Sequence, residues 1–129
     1  LIDGTPATDV IDDLAWFEGD FLSTVQQRGK AIIEARGKSS AASAANAALD
    51  TIRSIITPTA DGDWFSAAIY SAGNPYGIDE NLVYSFPLRS DGENVSIVEG
   101  LDLSDYAVGK AKASEAELQD EREAISELL

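Results

Sequence analysis

Fifteen residues from Arg36 to Asp50, RGKSSAASAANAALD, hold six alanines, three serines and no large apolar side chain before Leu49. Alanine has the highest helix propensity, so the run is helical without help from packing. A helix normally buries Leu, Ile or Phe on its core face. One that offers only small groups invites something bulky to lie close: another backbone, a partner subunit or a flat ligand.

Upstream, Leu14, Phe17, Phe21, Val25, Ile32 and Ala35 recur at spacings of three, four and seven, which predicts one long amphipathic helix from Thr8. Gly29 inside it costs about 1 kcal/mol against alanine, so a bend or a close neighbour is expected there. Gly37 fits the C′ position, with Arg36 in the last turn to suit the dipole. Ser39 or Ser40 can then N-cap a second helix, apolar only late, through Leu49, Ile52, Ile55 and Ile56, and ended by Thr57-Pro58. After Asp61-Gly62-Asp63 the period changes. Trp64–Ser71 and Leu82–Leu88 read as strands, Pro87 marking an edge or a bulge, and Ser90–Asn94 turns the chain into a third strand, Val95–Val98. A last helix runs from about Ser104 to Leu129, with a weak stripe of Ala107, Ala111, Leu118, Ile125 and Leu128 and with Gly109 in its first turns. The fold class is therefore α+β: two long N-terminal helices, a three-stranded antiparallel meander and a C-terminal helix.

A length of 129 residues suits one domain, and 44% hydrophobic with 25% charged residues is the composition of a globular protein. The formal charge of −14 repels phosphate backbones and anionic lipid, so neither nucleic acid nor a membrane is an expected partner. With no signal peptide, no transmembrane run and no cysteine, a cytoplasmic setting is expected. The chain has no histidine, no glycine pair at dinucleotide-loop spacing and no G-x-S-x-G, so no catalytic residue is assigned. Asp12-Asp13 and Asp79-Glu80 have the makings of a glycosidase couple or a calcium site. On so acidic a chain they read as solvated helix starts and turns, and Glu115–Glu127 reads as a solvated face, with no metal site expected.

The run Thr24–Ala48, TVQQRGKAIIEARGKSSAASAANAA, closely resembles the corresponding part of bacterial and cytosolic-type malate dehydrogenases, in the lactate/malate dehydrogenase superfamily. Asn74-Pro-Tyr-Gly-Ile78, Val83-Tyr-Ser-Phe-Pro87 and the Glu-Leu-X-X-Glu pattern at Glu117–Glu121 are similar too, so the resemblance covers essentially the whole chain. Leu1-Ile2-Asp3-Gly4 resembles the segment just beyond the family's catalytic histidine motif. The resemblance thus implies that residues 1–129 are the C-terminal, substrate-binding portion of such an enzyme, without its nucleotide-binding domain. It implies NAD as cofactor, held mainly by the absent domain, malate and oxaloacetate as substrates, and a homodimer whose interface includes the first two helices. It places Gly37, Ser39, Ser40 and Ser43 on the floor of the active site, where nicotinamide and dicarboxylate meet, with serine hydroxyls available to a carboxylate or carboxamide. The family's substrate arginines and its aspartate–histidine pair lie upstream, so the chain alone is expected to be inactive.

Thr51 stands where the family often has histidine, and Ile55-Ile56 stand near a frequent tryptophan. The alternatives are another 2-hydroxy-acid dehydrogenase such as lactate dehydrogenase, or a non-catalytic acidic self-associating module. The excess of acid fits a salt-adapted source as well as an ordinary bacterial one.

Overall fold

Asp13 restarts a helix that the apolar spacing alone would carry through unbroken. A single turn, α1 (Ala7–Val10), ends at Ile11 in extended conformation. The Asp13 carboxylate then accepts the Trp16 N–H at 2.9 Å and caps α2 (Leu14–Trp16). An aspartate here competes with helical bonding before it and satisfies open donors after it, so the expected single helix from Thr8 is interrupted. From α2 the chain winds through a π turn, Phe17–Phe21, into α3 (Leu22–Arg36). The irregularity thus falls around Gly19. Gly29, where a bend or a close neighbour was the expectation, lies in regular helix, and nothing among the described residues stands within 4 Å of where a Cβ would be.

Five residues of regular α-helix rotate a side chain by about 140°. The wider π turn instead brings Trp16 and Phe21 to a ring separation of 5.0 Å, with Phe17 at 5.0 Å from Trp16 and 5.7 Å from Phe21. The computed structural model describes residues 2–39 and 41–128 and divides into two units between Asn46 and Ala47, within α4 (Ala41–Ile56). No described residue of the first unit is buried.

The second unit carries the core. Strands β1 (Phe65–Tyr70), β2 (Val83–Ser90) and β3 (Val95–Ile97) form an antiparallel sheet in that order, with Phe65 opposite Leu88, Ala67 opposite Phe86 and Leu88 opposite Ile97. Phe86 and Leu88, buried with Leu82 and Ile78, meet Phe65, Ala67, Ile69, Ile97 and Leu118. Pro87 therefore lies on the central strand, not at an edge. Its carbonyl accepts the Val98 N–H at 2.8 Å, on the side where β3 pairs only with Leu88–Ser90. A strand residue's nitrogen and carbonyl point the same way, so the missing donor faces the place where the ladder has already ended.

Helix α5 (Asp105–Ala124) starts at Ser104, whose hydroxyl accepts the Ala107 N–H at 3.2 Å. Its expected apolar stripe holds only in part, since Ile125 and Leu128 are exposed. The helix is fastened instead by polar side chains that the sequence places on a solvated face. Glu115 is buried, accepts the Asp79 N–H at 2.6 Å and takes a 2.8 Å contact from Lys112, whose ammonium also donates to the Gly77 carbonyl at 2.7 Å. Asp79 is likewise no solvated turn residue: it accepts from the Asn81 N–H at 2.8 Å, from Arg122 at 3.0 Å and from Gln119 at 3.1 Å.

The Asn81 amide, with Arg122 and Gln119, holds the Asp79 carboxyl well below its ordinary 3.8, and Lys112 with the Asp79 N–H holds Glu115 below its ordinary 4.5. Both carboxyls are more acidic folded than unfolded. Their stabilisation is therefore complete above the unfolded values and is lost as pH falls toward the folded ones. Urea midpoints are expected to decline below about pH 5, with a shallower decline in Glu115→Gln; identical pH profiles for the two proteins would contradict this network.

Candidate functional site

Helix α3 ends where Gly37 adopts a left-handed φ of 71° and donates its N–H to the Ile33 carbonyl at 2.7 Å. The chain reverses within a few residues and enters α4. Ser39 and Ser43, four apart, line a groove of about 330 Å³ whose other wall is one strip of α3: Arg28, Gly29, Ile32 and Ile33. Gly37 shapes the reversal and is not part of the lining. Ser40, one of the two expected caps of α4, lies outside the described residues.

Small groups dominate the floor. Gly29 contributes no side chain and Ser39 and Ser43 only hydroxymethyl groups, so a flat group can approach the backbone. The one charged residue in the lining is Arg28, on a chain with 23 acidic and 9 basic residues. Among the described residues it has no ion-pair partner. A guanidinium beside two hydroxyls favours an anionic, planar head such as a carboxylate. Sequence reasoning passes over Arg28; the signal available to it is the four-residue spacing to Ile32, on the strip that also carries Gly29 and Ile33. The chain has no histidine to move a proton. Among the described residues no group of three or more Asp or Glu side chains is placed to hold a metal ion, and no helix is long and apolar enough to cross a membrane.

The family model for the lactate/malate dehydrogenase, alpha/beta C-terminal domain matches residues 2–129. The chain belongs to the lactate/malate dehydrogenase family. It is 53% identical over 126 residues to a malate dehydrogenase of Protochlamydia amoebophila (strain UWE25), covering 96% of this chain and 38% of that protein. It is 45% identical over 128 residues to an NADP malate dehydrogenase of Sorghum bicolor chloroplasts, covering 98% of this chain and 30% of the relative. The crystal structure of malate dehydrogenase from Naegleria fowleri superposes with a TM-score of 0.84 at 38% identity, over 98% of this chain and 38% of the other. The chain thus spans well under half the length of these dehydrogenases and corresponds to their C-terminal domain. The expected α+β class agrees with both the fold and this match.

Gly37 at the end of α3 and Gly29 on the groove should respond oppositely to alanine. Gly37→Ala forces a Cβ into the left-handed region and is expected to cost about 1 kcal/mol. Gly29→Ala meets open space on regular helix and is expected to stabilise by up to about 1 kcal/mol. Thermal and urea unfolding of the two variants check both signs.

Proposed function

We propose that this chain is the substrate-facing and subunit-forming portion of an NAD-dependent malate dehydrogenase that interconverts malate and oxaloacetate. The observation that carries the reading is the groove of Ser39, Ser43, Gly29 and Arg28 in a chain 53% identical to a protein named malate dehydrogenase. Its small floor fits the edge of a nicotinamide ring and its carboxamide, while the pyrophosphate and adenine belong to the nucleotide-binding part of the enzyme. NAD, when bound, supplies the hydride acceptor for the carbinol carbon. The residues of this chain orient: Ser39 and Ser43 offer hydroxyl hydrogen bonds, Arg28 draws a carboxylate, and Gly29 keeps the floor low. The proton acceptor belongs to the rest of the enzyme, since this chain has no histidine. Residues 1–129 on this reading form the C-terminal domain of a longer cytoplasmic enzyme.

In the complete enzyme, Ser43→Leu places a branched side chain on the floor. KM for oxaloacetate or for NADH is expected to rise at least about tenfold, equivalent to 1.4 kcal/mol of lost binding, with an unchanged melting temperature. Unaltered kcat/KM for both ligands would show that this face looks elsewhere. Parallel assays with NADH and NADPH decide the coenzyme, since the Sorghum relative is named for NADP.

The subunit-forming role draws on apolar surface. Trp16 and Phe21 in the first unit, and Ile52 and Ile55 on α4, are all more than a third exposed. Such faces drive association, and the charge of −14 opposes it over a range screened to about 10 Å at 0.1 M salt. A homodimer that loosens toward monomer as salt is removed is the expected outcome of sedimentation equilibrium across a salt series. A monomer at every ionic strength would remove the first two helices from consideration as an interface.

A further inference from the structure

Three aspartates in this chain precede a glycine, at Asp3-Gly4, Asp61-Gly62 and Asp91-Gly92. Such a step carries its own chemistry: the glycine nitrogen can attack the aspartate Cγ, because no Cβ hinders its approach. Two of the three continue alike, Asp63 following one and Glu93 the other, so the fold and not the local sequence separates them. At Asp91 both reacting groups are held. The carboxylate accepts the Asn94 and Glu93 N–H groups at 2.7 and 2.8 Å, which keeps the carboxyl below its ordinary 3.8, and the Gly92 N–H donates to the Ser90 hydroxyl at 2.9 Å. Asp3-Gly4 is spanned by Ile2 and Thr5, which exchange both backbone hydrogen bonds at 2.7 and 2.9 Å. Asp61 differs on each count. Its side chain is fully exposed, and among the described residues its carboxylate pairs with Arg89 alone, at 3.6 Å, a surface contact of little strength. The Gly62 N–H has no partner among the described residues. One backbone bond closes this turn, from the Asp63 N–H to the Ala60 carbonyl at 3.1 Å, with Gly62 at a φ of 77° and open space where a Cβ would stand.

We propose that Asp61-Gly62 is a site of spontaneous aspartate isomerisation. The Gly62 nitrogen attacks Cγ of the uncharged Asp61 carboxyl: a C–N bond forms, the bond from Cγ to the hydroxyl breaks, and that hydroxyl leaves with the amide proton as water. The cyclic imide then takes up one water. Opening at Cγ restores aspartate, and opening at the main-chain carbonyl yields isoaspartate, whose backbone runs through Cβ. The added methylene falls between two anchors: Thr59, whose N–H donates to the Ser90 carbonyl at 2.9 Å, and Phe65, opposite Leu88 in the sheet. The bond from Asp63 to Ala60 spans the lengthened link and is the contact that isomerisation removes.

The test incubates the full-length enzyme at a mildly acidic pH that leaves the fold intact, where more of each carboxyl is uncharged, and in parallel in urea. Electron-transfer fragmentation of the digested protein separates isoaspartate from aspartate, peptide by peptide. In the folded enzyme isoaspartate is expected to accumulate at Asp61 at least about tenfold faster than at Asp91 or Asp3, since those two react only when their turns open. In urea Asp61 and Asp91 should converge. Asp61→Glu should abolish the signal in that peptide, because the longer side chain closes its ring far more slowly. Equal rates at Asp61 and Asp91 in the folded enzyme, a faster site at Asp91 or Asp3, or a difference that persists in urea would each overturn the proposal.

Discussion

The 2.6 Å hydrogen bond from the Asp79 N–H to the Glu115 carboxylate is what lets a weakly apolar helix roof a core. Helix α5 brings Leu118 and two alanines, Ala107 and Ala111, to the sheet, and burial on that scale does not dock twenty residues by itself. Lys112, Glu115, Gln119 and Arg122 stand at spacings of three and four and so share one face. All four reach the loop between β1 and β2, at Gly77, Asp79 and Asn81. A buried carboxylate is costly unless paired, and here both oxygens of Glu115 are satisfied, one by a backbone amide and one by an ammonium. The same contacts hold Ile78 and Leu82 against Phe86.

That loop explains a motif which sequence comparison treats as a family signature. In Asn74-Pro-Tyr-Gly-Ile78 the Asn74 side chain donates to the carbonyls of Ser71 and Ile78 at 2.8 and 2.7 Å and accepts from the amides of Tyr76 and Ile78, both at 3.1 Å. All four hydrogen-bonding sites of the carboxamide are used within one turn. Tyr76 reaches across to the Val98 carbonyl at 2.6 Å, and Gly77 takes a φ of 66°. The buried Ser71 hydroxyl lies 2.6 Å from the Asp79 carbonyl and 2.8 Å from that of Leu82. These residues build the loop that anchors α5, so this part of the resemblance reports a scaffold and not chemistry.

What was legible in the sequence was whatever local rules decide. Gly37 ends α3 because a left-handed residue is needed there, and the change of period after Asp63 places the strands to within two residues. What was not legible depends on partners far along the chain. Pro87 sits on a central strand because β3 stops short, and Glu115 is buried because an amide 36 residues away awaits it. The restart at Asp13 and the π turn at Phe17–Phe21 are local, yet apolar spacing is nearly blind to both, since the three- and four-residue repeat of Leu14, Phe17, Phe21 and Val25 runs on through the π turn. On the candidate site, Ser39 and Ser43 stood out as small residues in a helical run. Arg28 did not, because only the folded reversal at Gly37 sets α3 against the start of α4.

The two units differ in what holds them. The second has Phe86 and Leu88 almost wholly enclosed, whereas the first has caps, helical hydrogen bonds and a cluster of three aromatic rings but, among the described residues, no buried side chain. Helices of this length are marginal in water by propensity alone. The serine groove lies in the first unit, and a binding surface keeps its geometry only when the elements beneath it are fixed by packing. On the proposed reading, the exposed stripe of Leu14, Val25 and Ile33 is therefore as much a part of the site as Ser39 and Ser43: whatever covers it in the complete enzyme sets the position of α3, and with it the distance from Arg28 to the two hydroxyls.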